Sequence, residues 1–254
     1  LKYQNYLIKQ GLSPSGVKFK RSAVSSLCGF IEVYYADEYP MFRNIYTKAI
    51  PNVSNVRKKE KEPLTKSEVE AIVKHLEEKE EYQKLAYLLY TYATGCRREE
   101  SRQLLKEVIT YSKHVNKKGE EKDYYVTHKI RAKGRGKEGK VRQFQFDEKA
   151  MKAIKKWIEV RGEDDCPYVF VSKKDGKYSQ LSANTFNNWC NGFSNVIGKK
   201  VYPHLIRSTR ATISVVEEGK DIKAVQNLLG HESSTTTEIY IVRDDDESLD
   251  DLFD

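Results

Sequence analysis

Long apolar runs, paired cysteines and a signal-peptide pattern are all missing from this chain of 254 residues. No stretch approaches the roughly 18 apolar residues that a membrane span requires. The four cysteines, Cys28, Cys96, Cys166 and Cys190, lie far apart and form no CxxC pair, so neither a disulfide framework nor a zinc site is indicated. These absences predict a reduced, cytoplasmic protein without a membrane span.

The positive charge of the chain is concentrated ahead of its last segment. Lys and Arg number 45 against 37 Asp and Glu, a net charge of +8. Seven acidic and no basic residues follow Arg243, so 30 acidic residues oppose all 45 basic ones in residues 1–243, a net charge of +15. Such a body favours a polyanionic partner, nucleic acid first and anionic membrane second, although a solvated lysine-rich surface has the same composition.

The front of the chain has a helical pattern and then loses it. Apolar residues recur at helical spacing in residues 1–50, in two stripes that a proline and a glycine at 14–16 separate. The periodicity fails at 40–63, which predicts an exposed interdomain linker that either follows a DNA backbone or is merely solvated. The basic candidates in this linker are Arg57, Lys58 and Lys59.

Helical and strand periodicities alternate after the linker. Thr65 and Glu68 have the spacing of a capping box and predict a helix start. Further helical patterns lie at 82–93, 150–160, 183–196 and 205–216, and in the segment that ends at Gly230. Period-two patterns predict strands at 108–113, 124–132 and 141–146. The last two strands are joined by a basic tip, 133–140, that contains three glycines.

The stretch that follows the last long helix contains one histidine and one tyrosine. Gly230 stands where a helix C-cap glycine belongs, so the helix should end there, just ahead of His231. Thr235 and Glu238 form another capping-box pattern, which predicts a short second helix carrying Tyr240. Taken alone, this is ordinary helix-loop-helix packing, in which Tyr240 is equally well explained as a surface or core aromatic.

Six side chains of the second part could act together on a phosphodiester: Arg97, Lys133, His204, Arg207, His231 and Tyr240. Arginines can bind the non-bridging oxygens and neutralise the charge of a five-coordinate phosphorus, and histidines can donate hydrogen bonds or move protons. A lysine can protonate the departing 5′ oxygen while a tyrosine attacks, if positive surroundings offset its pKa of about 10. No carboxylate cluster accompanies them, which argues against a two-metal nuclease.

The order of these motifs resembles the tyrosine recombinase (phage integrase) family. Residues 94–100, TGCRREE, resemble its first arginine motif, and 132–134, AKG, its hairpin lysine. Residues 203–207, PHLIR, are similar to its HxxR box, and 228–231, LLGH, with the later Tyr240, to its last histidine and nucleophile. The resemblance covers residues 63–243 in sequence and the front of the chain only in its helical character.

The resemblance implies a mixed, mainly α fold in three parts. Residues 1–60 would form a helical, SAM-like core-binding domain with its linker, expected to lack an N-terminal portion. Whether an arm-binding domain precedes Leu1 is left open. Residues 61–243 would form the α+β catalytic domain with a small antiparallel three-stranded sheet, followed by the acidic tail, 244–254. The six residues above would be catalytic. The residues expected to contact DNA are Arg57, Lys58, Lys59, Arg135, Lys137 and Lys140.

The implied activity is site-specific recombination of double-stranded DNA through a 3′-phosphotyrosyl link and a Holliday junction, with no ATP, metal or other cofactor. Four protomers would act in a synaptic homotetramer, and an excisionase is a candidate partner. Leu249, Leu252 and Phe253 follow helical spacing, so the tail either docks in an apolar groove of a neighbouring protomer or is a disordered acidic end.

Three departures from the family pattern leave site assignments open. Arg98 makes a double arginine, so the choice of Arg97 depends on the register with the preceding Thr-Gly. The long hairpin makes Lys137 a rival of Lys133 as the general acid. Ser208 stands where family members often have a second histidine after the HxxR box.

Several functions share these residues. The leading hypothesis is integration or excision of a mobile element in a bacterial or phage-infected cell. The alternatives are a recombinase of the Xer type that resolves chromosome dimers, a type IB topoisomerase that relaxes supercoils as a monomer, and a DNA-binding protein that keeps the fold without catalysis. The DNA target sequence is not encoded in any motif, because base readout depends on which side chains enter the grooves.

Overall fold

The computed structural model describes residues 2–46, 53, 62–132 and 139–230. The chain forms two compact units, Leu1–Glu60 and Lys61–Asp254, and each unit is considered by itself. Among the described residues, no helix is both long and apolar enough to cross a membrane.

The described part of the first unit contains two helices, α1 (Lys2–Lys9) and α2 (Pro14–Tyr34). Ser13 is the N-cap of α2, and its Oγ accepts a hydrogen bond from the amide of Gly16 at 3.2 Å. Pro14 occupies the first turn, where a missing N–H costs nothing. The proline and glycine therefore start the second helix rather than lying between the two.

The second unit contains seven further α-helices and six short strands within its described residues. The helices are α3 (Lys66–Glu78), α4 (Tyr82–Thr94), α5 (Arg98–Ser101), α6 (Glu148–Arg161), α7 (Ala183–Ile197), α8 (Pro203–Thr212) and α9 (Ile222–Leu229). The strands are β1 (Tyr125–Val126), β2 (Ile130–Ala132), β3 (Lys140–Arg142), β4 (Gln145–Phe146), β5 (Val171–Lys174) and β6 (Lys177–Gln180).

Two predicted helix boundaries are confirmed in atomic detail. Thr65 Oγ1 accepts from the amide of Glu68 at 3.1 Å, and Glu68 Oε2 accepts from the amide of Thr65 at 2.8 Å, which is the reciprocal capping box at the start of α3. At the end of α9, Gly230 has a left-handed φ of +65°. The helix predicted at 205–216 begins earlier, at Pro203, and its final part, Ile213–Glu217, is a π-helix.

The predicted three-stranded sheet is wrong. The first part of the predicted strand 108–113 belongs instead to a 3-10 helix, Lys106–Thr110. This helix places the apolar side chain of Val108 in the core. The other two predicted strands each break into two pieces, so that β1 pairs with β4 and β2 with β3, both antiparallel.

A side chain explains why the long strands break. The amide of Phe144 donates to Thr127 Oγ1 at 2.9 Å, so a hydroxyl takes the place of a backbone acceptor between the two ladders. A third antiparallel ladder, β5 with β6, was not predicted. Its turn residues Asp175 and Gly176 have φ values of 49° and 76°, and an Asp-Gly pair is a recognised signal for such a hairpin.

Helix α4 lies at the centre of the second unit and packs against α3, α6 and α8. Tyr87 of α4 is fully buried, stacks on Phe186 with ring centroids 4.3 Å apart, and meets Phe170 edge-on at 5.8 Å. Such aromatic contacts fix the helix firmly because they add to the burial of large apolar surfaces. The carboxyl end of α4, from which the chain continues to Arg97, is therefore held in a fixed position.

Candidate active site

A cleft of about 620 Å³ opens where the turn after α4, the β2–β3 hairpin and the first turn of α8 meet. Three of the six predicted catalytic residues, Arg97, His204 and Arg207, line it. Ala132 and Gly139, the described residues next to 133–138 in the sequence, also line it. The fold thus brings together side chains that lie far apart in sequence.

The turn after α4 requires a glycine. Gly95 has a φ of +59°, and its amide donates to Thr91 O at 2.8 Å to close the helix. A Cβ at this position would lie 2.5 Å from Leu229 Cδ2, so a larger residue would also displace the Leu229 side chain. The chain then runs extended through Arg97 into α5.

Glu100 holds Arg97 against the cleft wall. Its Oε1 accepts from Arg97 Nη1 at 3.0 Å, and its Oε2 accepts from the backbone amide of Arg97 at 2.7 Å. The side chain of Glu100 is 2 % exposed and that of Arg97 29 %. Breaking the ion pair would leave a buried carboxylate without its charged partner, which costs free energy. The pair therefore fixes the arginine side chain. The neighbouring Arg98 is exposed, although it also lines the cleft.

Glu100 was not among the site residues predicted from the sequence. Its signal was present, because an acidic residue three positions after the N-cap of a short helix can accept from the amide of that N-cap residue, as in a capping box. The neighbouring Glu99 made the choice ambiguous. Only the burial of one carboxylate and the exposure of the other distinguish them.

Arg207 is buried, with 1 % of its surface exposed, and its guanidinium joins two helix ends. Its Nη1 donates to Gly95 O and its Nη2 to Leu229 O, the latter at 2.7 Å. A buried guanidinium needs such acceptors to offset its lost hydration. His204, one turn earlier on α8, is exposed at the cleft.

Two other residues near these arginines have clear roles in packing. The hydroxyl of Ser208 is buried and donates to Leu205 O at 3.0 Å, so it is satisfied within α8. Burial raises the pKa of the Cys96 thiol to about 11. Cys96 therefore stays neutral at physiological pH. Because the thiolate is the reactive form, Cys96 is a poor nucleophile beside the cleft.

Of the remaining predicted site residues, the structure describes one, Lys140. Lys140 lies on β3, paired with Ala132 of β2. The rest lie outside the residues that the structure describes: Arg57, Lys58, Lys59, Lys133, Arg135, Lys137, His231 and Tyr240. The described residues end at Gly230, directly before His231 in sequence. An earlier described range ends at Ala132, directly before Lys133.

The lining of the cleft is predominantly cationic. It includes four arginines besides Arg207 against the two glutamates Glu99 and Glu100, and one of these carboxylates is buried against Arg97. The arginines are Arg97, Arg98, Arg102 and Arg131. A concave surface with this charge concentrates a polyanion, and paired guanidinium groups suit the oxygens of a phosphate.

The model of the phage integrase family matches residues 62–247. The chain therefore belongs to this family, the tyrosine recombinases. It is 29% identical to the SPbeta prophage-derived recombinase-like protein YomM of Bacillus subtilis (strain 168), covering 100% of this chain and 75% of that protein. It is 32% identical to the tyrosine recombinase XerA of Pyrococcus furiosus over 70% of this chain, but spans only 56% of that protein.

Solved structures share the fold. A crystal structure of XerA recombinase superposes with a TM-score of 0.59 and 22% identity, over 98% of this chain and 87% of that one. The Tn1549 transposon integrase in complex with transposon right end DNA gives a TM-score of 0.66 at 16% identity, over 100% and 84%. The predicted class, a mainly helical mixed fold with a small antiparallel sheet, is confirmed, although the predicted number of strands in that sheet is not.

We predict that Glu100→Gln slows DNA strand cleavage by roughly tenfold or more, since losing one electrostatic stabiliser of a transition state has at least that effect. The amide would turn an N–H group towards the donors of Arg97 and release its guanidinium. The measurement is the single-turnover rate of covalent adduct formation on a nicked DNA duplex, with the melting temperature as a check on folding.

The matched control is Glu99→Gln, which removes the same charge from the neighbouring residue. Glu99 is exposed and its carboxylate contacts Arg102 Nη1 at 3.3 Å rather than Arg97. Its rate should stay near that of the unaltered protein. Equal losses in the two variants would show that only the local negative charge matters, and would contradict the positioning of Arg97 by Glu100.

Proposed function

We propose that this chain is a site-specific DNA recombinase that cleaves and rejoins strands through a covalent 3′-phosphotyrosyl link, with a Holliday junction as intermediate. The observation that supports it most strongly is the meeting of Arg97, His204 and Arg207 at one cationic cleft in a member of the phage integrase family. The chemistry uses the protein's own side chains and needs neither ATP nor metal.

In the proposed reaction the scissile phosphate lies against Arg97, His204 and Arg207, which neutralise the charge that grows on its non-bridging oxygens. The phenolic oxygen of Tyr240 attacks phosphorus, the P–O5′ bond breaks, and the phenolic proton leaves to solvent or to a nearby base. Lys133 supplies a proton to the departing 5′ oxygen. Because one phosphate ester replaces another, the bond energy is kept for the rejoining step.

His231 would be a second hydrogen-bond donor or proton carrier at the phosphate. The basic residues Arg57, Lys58, Lys59, Arg135, Lys137 and Lys140 would contact the DNA backbone around the cleavage site. Among the described ones, Lys140 supports this proposal because it is exposed on β3, next to the cleft. Such contacts increase affinity without reading sequence.

Integration or excision of a mobile element is the biological role that we favour, in the cytoplasm of a bacterial or phage-infected cell and with an excisionase as a candidate partner. The similarity to a prophage-derived protein over the whole chain supports it. Resolution of chromosome dimers is the competing role, supported by the similarity to XerA. Recombination of two dissimilar attachment sites in vitro would favour integration or excision. Recombination of identical sites only would favour resolution of chromosome dimers.

We also propose a homotetramer in which the acidic tail, 244–254, docks on a neighbouring protomer. A groove of about 760 Å³ between α3, α4 and α6 has the matching chemistry. Its floor includes Val69, Val73 and Leu85, and Lys149 and Lys152 line it, although three glutamates and one aspartate do so as well. The tail would place its apolar residues on this floor and its carboxylates near the lysines.

Replacing Leu249, Leu252 and Phe253 together with serine should reduce the share of tetramer on DNA, because it removes the apolar anchor but keeps every charge. Counting protomers per DNA complex by mass photometry measures this. The control exchanges Asp244, Asp245 and Asp246 for asparagine. Unchanged assembly in both variants, and after deletion of 244–254, would show that the tail is a solvated end.

Tyr240→Phe should bind DNA with unchanged affinity and form no covalent adduct on a nicked suicide substrate, since it lacks only the attacking oxygen. Tyr168, which also lines the cleft, is the rival nucleophile, and Tyr168→Phe should still form the adduct. Denaturing gel electrophoresis of labelled DNA measures both. An adduct that survives the change at Tyr240 and vanishes with the change at Tyr168 would overturn the assignment.

Lys133→Ala should cleave ordinary DNA slowly but regain its rate on a substrate with a 5′-phosphorothiolate, because sulfur leaves without a proton. Lys137→Ala should behave like the unaltered protein on both substrates. The ratio of the two cleavage rates is the measurement. Rescue of the Lys137 variant, without rescue of the Lys133 variant, would reassign the general acid.

A further inference from the structure

Arg142, the last residue of β3, extends its guanidinium to the carboxyl end of α9. Its Nη1 donates to Leu229 O at 2.6 Å, and its Nη2 donates to Leu228 O at 2.7 Å and to Asn227 O at 3.3 Å. The carbonyls of a last helical turn lack intrahelical donors, and the helix dipole places partial negative charge there. The arginine is therefore a charged cap that ties the β2–β3 hairpin to α9.

Gly230 makes this cap possible. A Cβ on Gly230 would lie 2.0 Å from Arg142 Nη1 and 2.3 Å from its Cζ, so any other residue would displace the guanidinium. The residue also needs its left-handed φ of +65° to end the helix. One glycine thus meets two separate requirements, the helix end and the approach of the arginine.

The surroundings hold the Arg142 side chain in one orientation. Its guanidinium lies over the ring of Phe144, 4.8 Å from the centroid, a favourable contact for a cation. Burial lowers the pKa of Arg142, and the charges of Glu100 and Arg97 also act on it, in opposite directions.

Two arginines from different elements meet at one carbonyl oxygen. Leu229 O accepts from Arg142 Nη1 and from Arg207 Nη2, at 2.6 Å and 2.7 Å. Through this oxygen, the hairpin that leads to Lys133, the helix that carries Arg207, and the helix that leads to His231 share one point of attachment. In sequence, His231 is the second residue after Leu229.

We propose that Arg142 is a positioning residue for strand cleavage: it fixes the last turn of α9, and with it the point from which the chain continues to His231 and Tyr240. The inference depends on the proposed function. It assigns no contact between Arg142 and DNA. Arg142 acts through α9, and Gly230 is the residue that lets it do so.

Arg142→Lys is the informative variant, because lysine keeps the charge but has no planar fork to span adjacent carbonyls. A matched control exists in Arg161, whose buried guanidinium donates to Cys166 O at 3.0 Å and lies 4.9 Å from the ring of Tyr178. Arg161→Lys makes the same chemical change at the end of α6, in a guanidinium that binds no part of α9.

In single-turnover cleavage of nicked DNA, Arg142→Lys should lower the rate constant on the order of 100-fold, the effect of a small misplacement of reacting groups. DNA affinity and the fraction of protein that reacts should stay near the unaltered values. Arg161→Lys should keep the rate constant. A normal rate constant for Arg142→Lys, or a loss confined to the reacting fraction, would overturn the inference, because either result indicates a role in folding alone.

Hydrogen exchange without DNA gives a readout that does not depend on activity. Amides 226–230 should exchange roughly tenfold faster in Arg142→Lys, the scale of losing a charge-assisted hydrogen bond, and should be unaffected in Arg161→Lys. Unchanged exchange would overturn the inference even if cleavage slowed. If the unaltered protein forms no adduct, the proposed function fails, and the positioning role fails with it.

Discussion

The burial of the Arg207 guanidinium is the constraint on which the rest of the site depends. Taking this charge out of water costs several kcal/mol unless backbone or side-chain acceptors replace the lost hydration. Gly95 O and Leu229 O are such acceptors, and both lie at the ends of helices, where the dipole is negative. The buried guanidinium therefore joins α8 to the ends of both α4 and α9.

This arrangement has a consequence for experiments on Arg207. Its replacement removes a candidate phosphate ligand and at the same time takes away the guanidinium donor of Gly95 O and one of the two arginine donors of Leu229 O. Loss of activity in such a variant would not distinguish the two effects. Arg97 is the clearer subject, because its guanidinium is partly exposed and held by a side chain, Glu100, that can be changed separately.

Much of the fold could be predicted because its signals are local. The capping box at Thr65 and the C-cap at Gly230 depend only on neighbouring residues, and the helices follow apolar periodicity. The three-stranded sheet could not be predicted, because the Thr127 hydroxyl interrupts the ladder through a partner 17 residues away in the chain. The β5–β6 hairpin was missed despite its Asp175–Gly176 turn.

The site divides in the same way. Arg97, His204 and Arg207 could be selected because family motifs carry them, and the fold places all three at one cleft. Glu100 and Arg142 could not be selected from sequence with the same certainty. Glu100 matters because its carboxylate is buried, and Arg142 because it links β3 to α9, about 87 residues away in the chain. A sequence motif shows neither the burial nor the contact.

The proposed function requires that DNA is cleaved at the cleft formed by α5, α8 and the β2–β3 hairpin. A structure of the protein trapped on a nicked suicide substrate would show where the phosphate is bound. We expect a 3′-phosphate bonded to Tyr240, with its non-bridging oxygens within hydrogen-bonding distance of Arg97, His204 and Arg207. A phosphotyrosine located away from these three side chains would rule out cleavage at this cleft.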